Sequence, residues 1–191
     1  MQPGTEPWRF TVTSRTYEAI IAHCRRKIRG EYVANETRVS RAFGLVAGTV
    51  DREASVARIT AAFPLRRNLR LEASHQDEMD EILDEFAIPS KTPNALRGWV
   101  ADPMEVLAAD RICSASGTVL LGAYHSHKQP WPTDPDRSSC TALDTFLARD
   151  RGLWVFIVSM VRPDAPIFRA FFEGDNDREA LIEIEHPEPT R

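Results

Sequence analysis

Apolar and polar positions alternate in a short segment near the start of the chain and then recur at helical spacing. Residues 9–14 alternate as in a strand, whereas residues 16–28 place apolar side chains every three or four positions, as in an amphipathic helix. Two further apolar runs, 43–50 and 55–63, predict strands, and the polar segment 51–54 between them predicts a hairpin. The pattern in the first third of the chain therefore predicts a strand, a helix and then a pair of strands.

The rest of the chain alternates between helices and strands. Helices are predicted over 71–88, from the capping residue Asp102 with Pro103 at the first position, and over 138–149. Strands are predicted over 118–124, 153–160 and 167–172, and 180–184 fits a last strand or a helix. Pro89 stops the first of these helices. This order predicts an α/β fold, a mixed β-sheet flanked by helices.

Composition limits the chain to one domain and excludes several classes of partner. With 191 residues, of which 42% are hydrophobic, it can bury one substantial core, predicted over 9–185 between loose, proline-rich ends at 1–8 and 186–191. Acidic and basic residues are interspersed and give a net charge of −4. There is therefore no electrostatic reason to expect nucleic acid or an anionic membrane as partner. The three cysteines show no Cys-x-x-Cys spacing, and no signal peptide or membrane span is visible, so we expect a cytoplasmic protein.

Two histidines at the end of a predicted strand indicate a metal site. His125 and His127 directly follow the apolar run 118–124, and residues two apart in a strand point to the same side. Asp136 lies a short, proline-stiffened loop downstream and could supply a third ligand. Two His and one Asp with a fourth position open to water are typical of catalytic zinc, so we predict Zn²⁺ on His125, His127 and Asp136.

The carboxylate of this set has competitors in the same region. Asp144, in Thr141-Ala-Leu-Asp144, repeats the Thr-x-x-Asp pattern, but it falls within the predicted helix 138–149; Asp134 lacks a hydroxyl at the right offset. Asp136 is preferred because Thr133-x-x-Asp136 puts a hydroxyl beside the carboxylate. Thr133 could stabilise an oxyanion next to the metal, or it could simply cap the following helix.

These residues resemble the signature of the JAB/MPN (JAMM) metalloprotease family, His-Ser/Thr-His followed by Ser-x-x-Asp. Further landmarks occur in the same order, from Gly44-Leu-Val-Ala-Gly48 through Asn68 and Asp102-Pro103 to Gly122-Ala-Tyr-His125, so that the resemblance spans roughly residues 10–175. The chain departs from the signature in two ways. The loop from His127 to Thr133 is two residues shorter, and Lys128 replaces the usual proline.

The resemblance implies a fold, an activity and partners. The fold would be the MPN mixed sheet flanked by helices, which is cytidine-deaminase-like. The activity would be zinc-dependent hydrolysis of the peptide or isopeptide bond after the C-terminus of a ubiquitin-like protein, as in a bacterial deubiquitinase-like member. Activating and conjugating (E1- and E2-like) enzymes of the same pathway would be further partners, and the resemblance also allows a homodimer. The segment 71–97 is an insertion that could guide an extended substrate tail.

The general base is the point at which the chain departs most from the family. Active members carry a Glu three residues before the first Gly of the Gly-Leu-x-x-Gly strand, and here that position is Arg41, which cannot accept a proton. Glu36, or Glu31, could take this role by another path of the chain, and we prefer Glu36. The alternatives are a non-catalytic MPN scaffold, favoured by Arg41, and a different small zinc peptidase.

Overall fold

The computed structural model describes residues 7–88, 92–94 and 97–185, and its strands and helices follow most of the predicted segments. The strands are β1 Arg9–Thr13, β2 Phe43–Asp51, β3 Val56–Pro64, β4 Val119–His127, β5 Trp154–Ser159, β6 Ile167–Phe172 and β7 Glu179–Glu185. The α-helices are α1 Ser14–Ile28, α2 Ala73–Phe86, α3 Pro103–Ala115 and α4 Ala142–Ala148, and a short 3-10 helix covers Leu69–Leu71. The predicted hairpin is confirmed, since β2 and β3 pair antiparallel.

The seven strands close into a barrel in the order β1-β3-β2-β4-β5-β6-β7. Closure comes from β1, which pairs parallel with β3 on one side and with β7 on the other. The predicted α/β fold, an MPN-type mixed sheet flanked by helices, is therefore wrong: the sheet is a closed mixed barrel with four helices around it. The segment left open as strand or helix is β7, and its pairing with β1 removes the edges that an open sheet would expose.

Apolar side chains of strands and α1 form the main core. Phe10 packs edge-on against Trp154 and Phe156, with ring centroids 5.0 and 5.3 Å apart, and Ile20 of α1 is fully buried in the same cluster. Trp8, which the sequence placed in the loose tail 1–8, also packs here, with its ring 5.9 Å from that of Trp154. Residues 1–6 and the tail 186–191 lie outside the described residues, as does Pro89.

Strand β4 lies between β2 and β5 in the barrel, which fixes the position of its histidines. It pairs antiparallel with β2 and parallel with β5, and His125 faces Phe43 on one neighbour and Ile157 on the other. Gly122 allows the close approach to β5, because a Cβ atom there would lie 1.9 Å from the carbonyl oxygen of Trp154. The end of β4 is thus held on both sides by the hydrogen-bond ladder.

Helix boundaries differ from prediction at one functionally important place. The predicted cap of α3 is confirmed, since the Asp102 side chain accepts from the backbone N–H of Met104 at 2.9 Å. Helix α4, by contrast, begins at Ala142 rather than Ser138, because the side chain of Thr141 caps it. In the described part of the chain, no helix is both long and apolar enough to cross a membrane.

Candidate metal centre

His125 and His127 lie side by side at the end of β4, as the spacing predicts. Their Nε2 atoms are 3.0 Å apart and their ring centroids 4.8 Å apart. His127 is held in orientation by its other nitrogen, Nδ1, which lies 3.0 Å from the backbone carbonyl oxygen of Arg137. A proton on Nδ1 donates this hydrogen bond and leaves Nε2 of His127 with its lone pair free for a metal.

Asp144 completes the cluster. Its Oδ1 lies 3.2 Å from Nε2 of His125, and its Oδ2 lies 3.8 Å from Nε2 of His127. The ligand atoms of the three residues all fall within 4.8 Å of one another. His125, His127 and Asp144 could therefore bind a metal ion.

Electrostatics keep two members of the cluster, His127 and Asp144, in the protonation states that a metal requires. Burial lowers the pKa of His127 to about 3, and the charge of His125 contributes to this, so the ring is neutral at pH 7. Burial would raise the pKa of Asp144, but the charge and hydrogen bond of His125 outweigh it and hold the pKa well below its ordinary value. A neutral imidazole beside an ionised carboxylate is the donor state that divalent metals bind.

Asp136, the carboxylate preferred from the sequence, is not part of this cluster. Its side chain is 51% exposed and pairs with Arg162, with Oδ1 3.0 Å from Nη2. The chain turns immediately afterwards at Arg137, whose φ of 51° lies in the left-handed region, so the Arg137 carbonyl and not the Asp136 carboxylate meets His127. Asp134 is also engaged elsewhere, accepting from the backbone N–H of Ser139 at 3.1 Å.

Thr133, the predicted oxyanion donor, is exposed in the same loop. It is not among the described residues that line the two cavities next to the cluster. Thr141 takes the place next to the carboxylate instead. It caps α4, and its hydroxyl lies 2.8 Å from Oδ2 of Asp144. The Thr-x-x-Asp pattern is thus present at the site, but as the pair Thr141 and Asp144.

Glu36, the predicted general base, is engaged in a buried charge network. Arg26 holds it through two contacts of 2.5 and 2.8 Å, Lys27 lies 3.3 Å away, and the backbone N–H of Val33 donates at 2.9 Å. Burial would raise the pKa of Glu36, but the hydrogen bond from Arg26 outweighs it and the pKa falls to about 2. Glu31 is exposed and pairs with Arg29. The structure thus places neither carboxylate among the residues around the histidines.

Two cavities meet at the cluster. The first, of ≈ 410 Å³, contains His125, His127 and Asp144 in its wall together with several cationic side chains, namely Arg38, Arg41, Arg97, Lys128 and Arg137. The second, of ≈ 690 Å³, shares His125 and Asp144 with the first, and its remaining lining is mainly apolar. His75 and Glu78 of α2 also line the second cavity. The cluster is therefore reachable from a cationic side and from an apolar side.

Sequence reasoning missed Glu78 and Arg137 altogether. Glu78 belongs to an acidic helix in which several carboxylates have the same spacing, so nothing in the chain distinguishes it. Arg137 stacks its guanidinium 3.3 Å from the centre of the Trp131 ring, and an Arg six residues after an aromatic residue carries no recognisable signal. Asp144 did have a signal, the Thr-x-x-Asp pattern that forms its capping box.

Comparison with known proteins supports the fold alone. No protein-family model matches the chain, and no curated protein matches it significantly. Among solved structures, the chain is similar to the solution structure of protein DSY2949 from Desulfitobacterium hafniense, a structural genomics target. The TM-score is 0.61 with 23% identity, over 93% of this chain and 94% of that one. At this identity the likeness concerns the architecture and not the chemistry.

Proposed function

We propose that this protein is a zinc-dependent peptidase or isopeptidase that acts on the C-terminal bond of a ubiquitin-like protein. The observation that carries the proposal is the cluster of His125, His127 and Asp144 at the meeting point of two cavities. Ligand atoms of a tetrahedral zinc ion lie about 3.3 Å apart, given bond lengths of about 2.0–2.1 Å. The two Nε2 atoms, 3.0 Å apart, and Oδ1 of Asp144, 3.2 Å from Nε2 of His125, fit this requirement. With one ligand atom from each residue, all three lie within 4.8 Å of one another.

The donor set leaves one coordination position for chemistry. Structural zinc sites are closed by four protein ligands, whereas catalytic sites hold three and leave the fourth open. When bound, zinc would polarise the scissile carbonyl and activate water for attack. The chain's own residues would hold the ligands: Arg137 orients His127 through its carbonyl, and Thr141 orients Asp144 through its hydroxyl and backbone N–H.

A proton acceptor is also needed, and we assign this role to Glu78. Other than Asp144, it is the one carboxylate among the described residues that line either cavity. It is exposed on α2 and shares the second cavity with His125 and Asp144. An exposed carboxylate there can take a proton from the attacking water and return it to the leaving amine.

The substrate class rests on the resemblance to JAMM metalloproteases. The order of residues, His125-Ser-His127 followed by Thr141-x-x-Asp144, follows that family's signature with a longer connecting loop. An extended C-terminal tail is a suitable ligand for cavities that lie on both sides of His125 and Asp144. An amide bond positioned between them would face the open coordination position.

A non-catalytic scaffold is the second candidate, and Arg41 favours it. Arg41 stands where active JAMM members carry their Glu, and it lines the first cavity. A cation at this place cannot accept a proton. Under this alternative the site would bind zinc without turnover.

The experiment is zinc content together with cleavage of a ubiquitin-like C-terminal fusion, measured with and without a chelator. Asp144→Asn should lose both zinc and cleavage, whereas the matched control Asp136→Asn should keep both, because Asp136 pairs with Arg162 outside the cluster. Zinc bound to wild type without turnover of any fusion or short peptide would favour the scaffold. Zinc and activity unchanged in Asp144→Asn would refute the metal centre itself.

A further inference from the structure

Two arginines beside the cluster line the first cavity without an ion-pair partner among the described residues. Arg41 and Arg137 both line the first cavity, and both are partly buried. Among the described residues, neither guanidinium has a carboxylate within ion-pair distance. Arg38 and Arg97 line the same cavity and also form no ion pair with a described carboxylate. Eight other arginines do pair with Asp or Glu, namely Arg26, Arg29, Arg58, Arg67, Arg70, Arg162, Arg169 and Arg178.

Arg137 is held in place before any ligand arrives. The central carbon of its guanidinium lies over the Trp131 ring, 3.3 Å from the ring centre, and its backbone carbonyl contacts Nδ1 of His127. Hydrogen bonds between the backbones of Trp131 and Asp134, 3.1 and 3.3 Å long, fix the loop that carries the indole. Stacking occupies one face of a guanidinium and leaves the N–H groups along its edge able to donate.

The lining of the first cavity carries more positive than negative charge. Arg38, Arg41, Arg97, Lys128 and Arg137 all line it. Asp144 is the one carboxylate among the described residues of this lining, and it also belongs to the metal cluster. The cavity therefore carries positive charge that an incoming anion would compensate.

We propose that Arg41 and Arg137 form a subsite for a carboxylate group of the substrate, next to the bond that is cleaved. Guanidinium N–H groups match the two oxygens of a carboxylate and give strong, directional hydrogen bonds. That the carboxylate belongs to a substrate rests on the proposed function, whereas binding of a carboxylate at this place does not. On a peptide, the carboxylate is either the C-terminal α-carboxylate of the departing residue or an acidic side chain near the scissile bond.

The test is a calorimetric titration of the full-length chain with small probes. N-acetylglycine carries the free carboxylate, N-acetylglycinamide lacks it, N-acetylaspartic acid α-amide places it on a side chain, and inorganic phosphate tests the other common oxyanion. Each titration is made with the zinc-loaded and the metal-free protein, because a carboxylate could also bind the metal. We expect N-acetylglycine or the aspartate α-amide to bind the metal-free protein, and which one binds identifies the source of the carboxylate.

Variants then locate the binding. Arg41→Gln and Arg137→Gln should each weaken carboxylate binding by about tenfold or more, and Arg41→Lys should retain part of it. Arg162→Gln is the control, because Arg162 pairs with Asp136 away from the cavity lining. Thermal unfolding of each variant shows whether the fold is intact, and Arg41→Lys keeps the test decisive if a Gln variant does not fold.

The outcomes separate this inference from the proposed function. Equal affinity for acid and amide probes, or equal losses in Arg162→Gln, would overturn the carboxylate subsite while leaving zinc-dependent cleavage standing. Phosphate binding without carboxylate binding would also overturn it and would indicate a phosphorylated ligand. Carboxylate binding that depends on Arg41 and Arg137, in a protein that cleaves nothing, would support the subsite and contradict the peptidase.

Discussion

Oδ2 of Asp144 accepts two hydrogen bonds from Thr141, one from the backbone N–H and one from the hydroxyl, each 2.8 Å long. The hydroxyl in turn accepts from the backbone N–H of Asp144 at 3.2 Å, so that the pair forms a capping box at the start of α4. The same two residues thus begin the helix and orient the carboxylate toward the histidines. Both metal affinity and the stability of α4 should therefore depend on Thr141.

We expect Thr141→Ala to weaken zinc binding by about 10- to 100-fold, as for other residues that orient a metal ligand. Loss of the cap should also lower the free energy of unfolding by about 1 kcal/mol. Competition with a chromophoric chelator measures the first effect and chemical denaturation the second. Thr133→Ala is the matched control, because Thr133 is exposed and should change neither quantity. Equal effects of the two substitutions would contradict the role of Thr141.

Glu78→Gln should lower kcat by about 100-fold or more with little change in stability, because a proton acceptor would be lost from an exposed site. Glu81→Gln is the control. Glu81 is also an exposed carboxylate of α2, but it is not among the described residues that line either cavity. Steady-state cleavage kinetics of the two variants measure the effect. Unchanged kcat in Glu78→Gln would remove Glu78 from the proposal.

Glu36→Gln should act on stability and not on chemistry. Its side chain is fully buried beside Arg26 and Lys27, and removing one partner of a buried ion pair leaves charge uncompensated. We expect the free energy of unfolding to fall by about 3 kcal/mol, with the cleavage rate per folded molecule retained. Denaturant titration and active-site-normalised kinetics measure the two. In Glu31→Gln, which alters an exposed pair, the unfolding midpoint should not move.

Local patterns predicted the positions of most strands and helices, because each depends on neighbouring residues in the chain. The closure of the barrel depends instead on β1 meeting β7, which are opposite ends of the described chain. Alternation of apolar residues shows which face of a strand is buried, but it does not show which strand lies beside it. An open sheet and a closed barrel of the same strands therefore have the same hydrophobic pattern.

The residues of the site also differ in whether local patterns could predict their position. His125 and His127 could be paired from the sequence because strand geometry alone brings them together. Asp144 could not, because its place depends on where α4 begins. With a helix from Ser138, Asp144 would lie in the helix interior, whereas the observed start at Ala142 puts it in the first turn. The loop before it is set by distant contacts, such as the hydrogen bond from Cys140 N–H to Asn176 Oδ1 of 3.0 Å.

His23 should make the stability of the protein sensitive to mild acid. Burial lowers the pKa of His23 to about 4, and the charge of Arg26 acts in the same direction, while Nδ1 lies 2.8 Å from the Tyr124 hydroxyl. The unfolded chain takes up a proton near the ordinary pKa of about 6.5, but the folded protein does so only near 4. Stability from this residue is therefore fully present above pH 6.5 and is lost as the pH falls from there to about 4. The loss should be about 3 kcal/mol.

The measurement is the free energy of unfolding by urea at several pH values between 7.5 and 4, for wild type and His23→Gln. Loss of any bound metal in acid would destabilise both proteins alike, so the difference between their slopes isolates His23. We expect a shallower slope for His23→Gln in this window, even though its stability at pH 7.5 is lower because the contact with Tyr124 changes. The two curves should become parallel only below about pH 4, where His23 is protonated in both the folded and the unfolded state. Identical slopes above pH 4.5 would show that His23 takes up its proton equally in the folded and unfolded states.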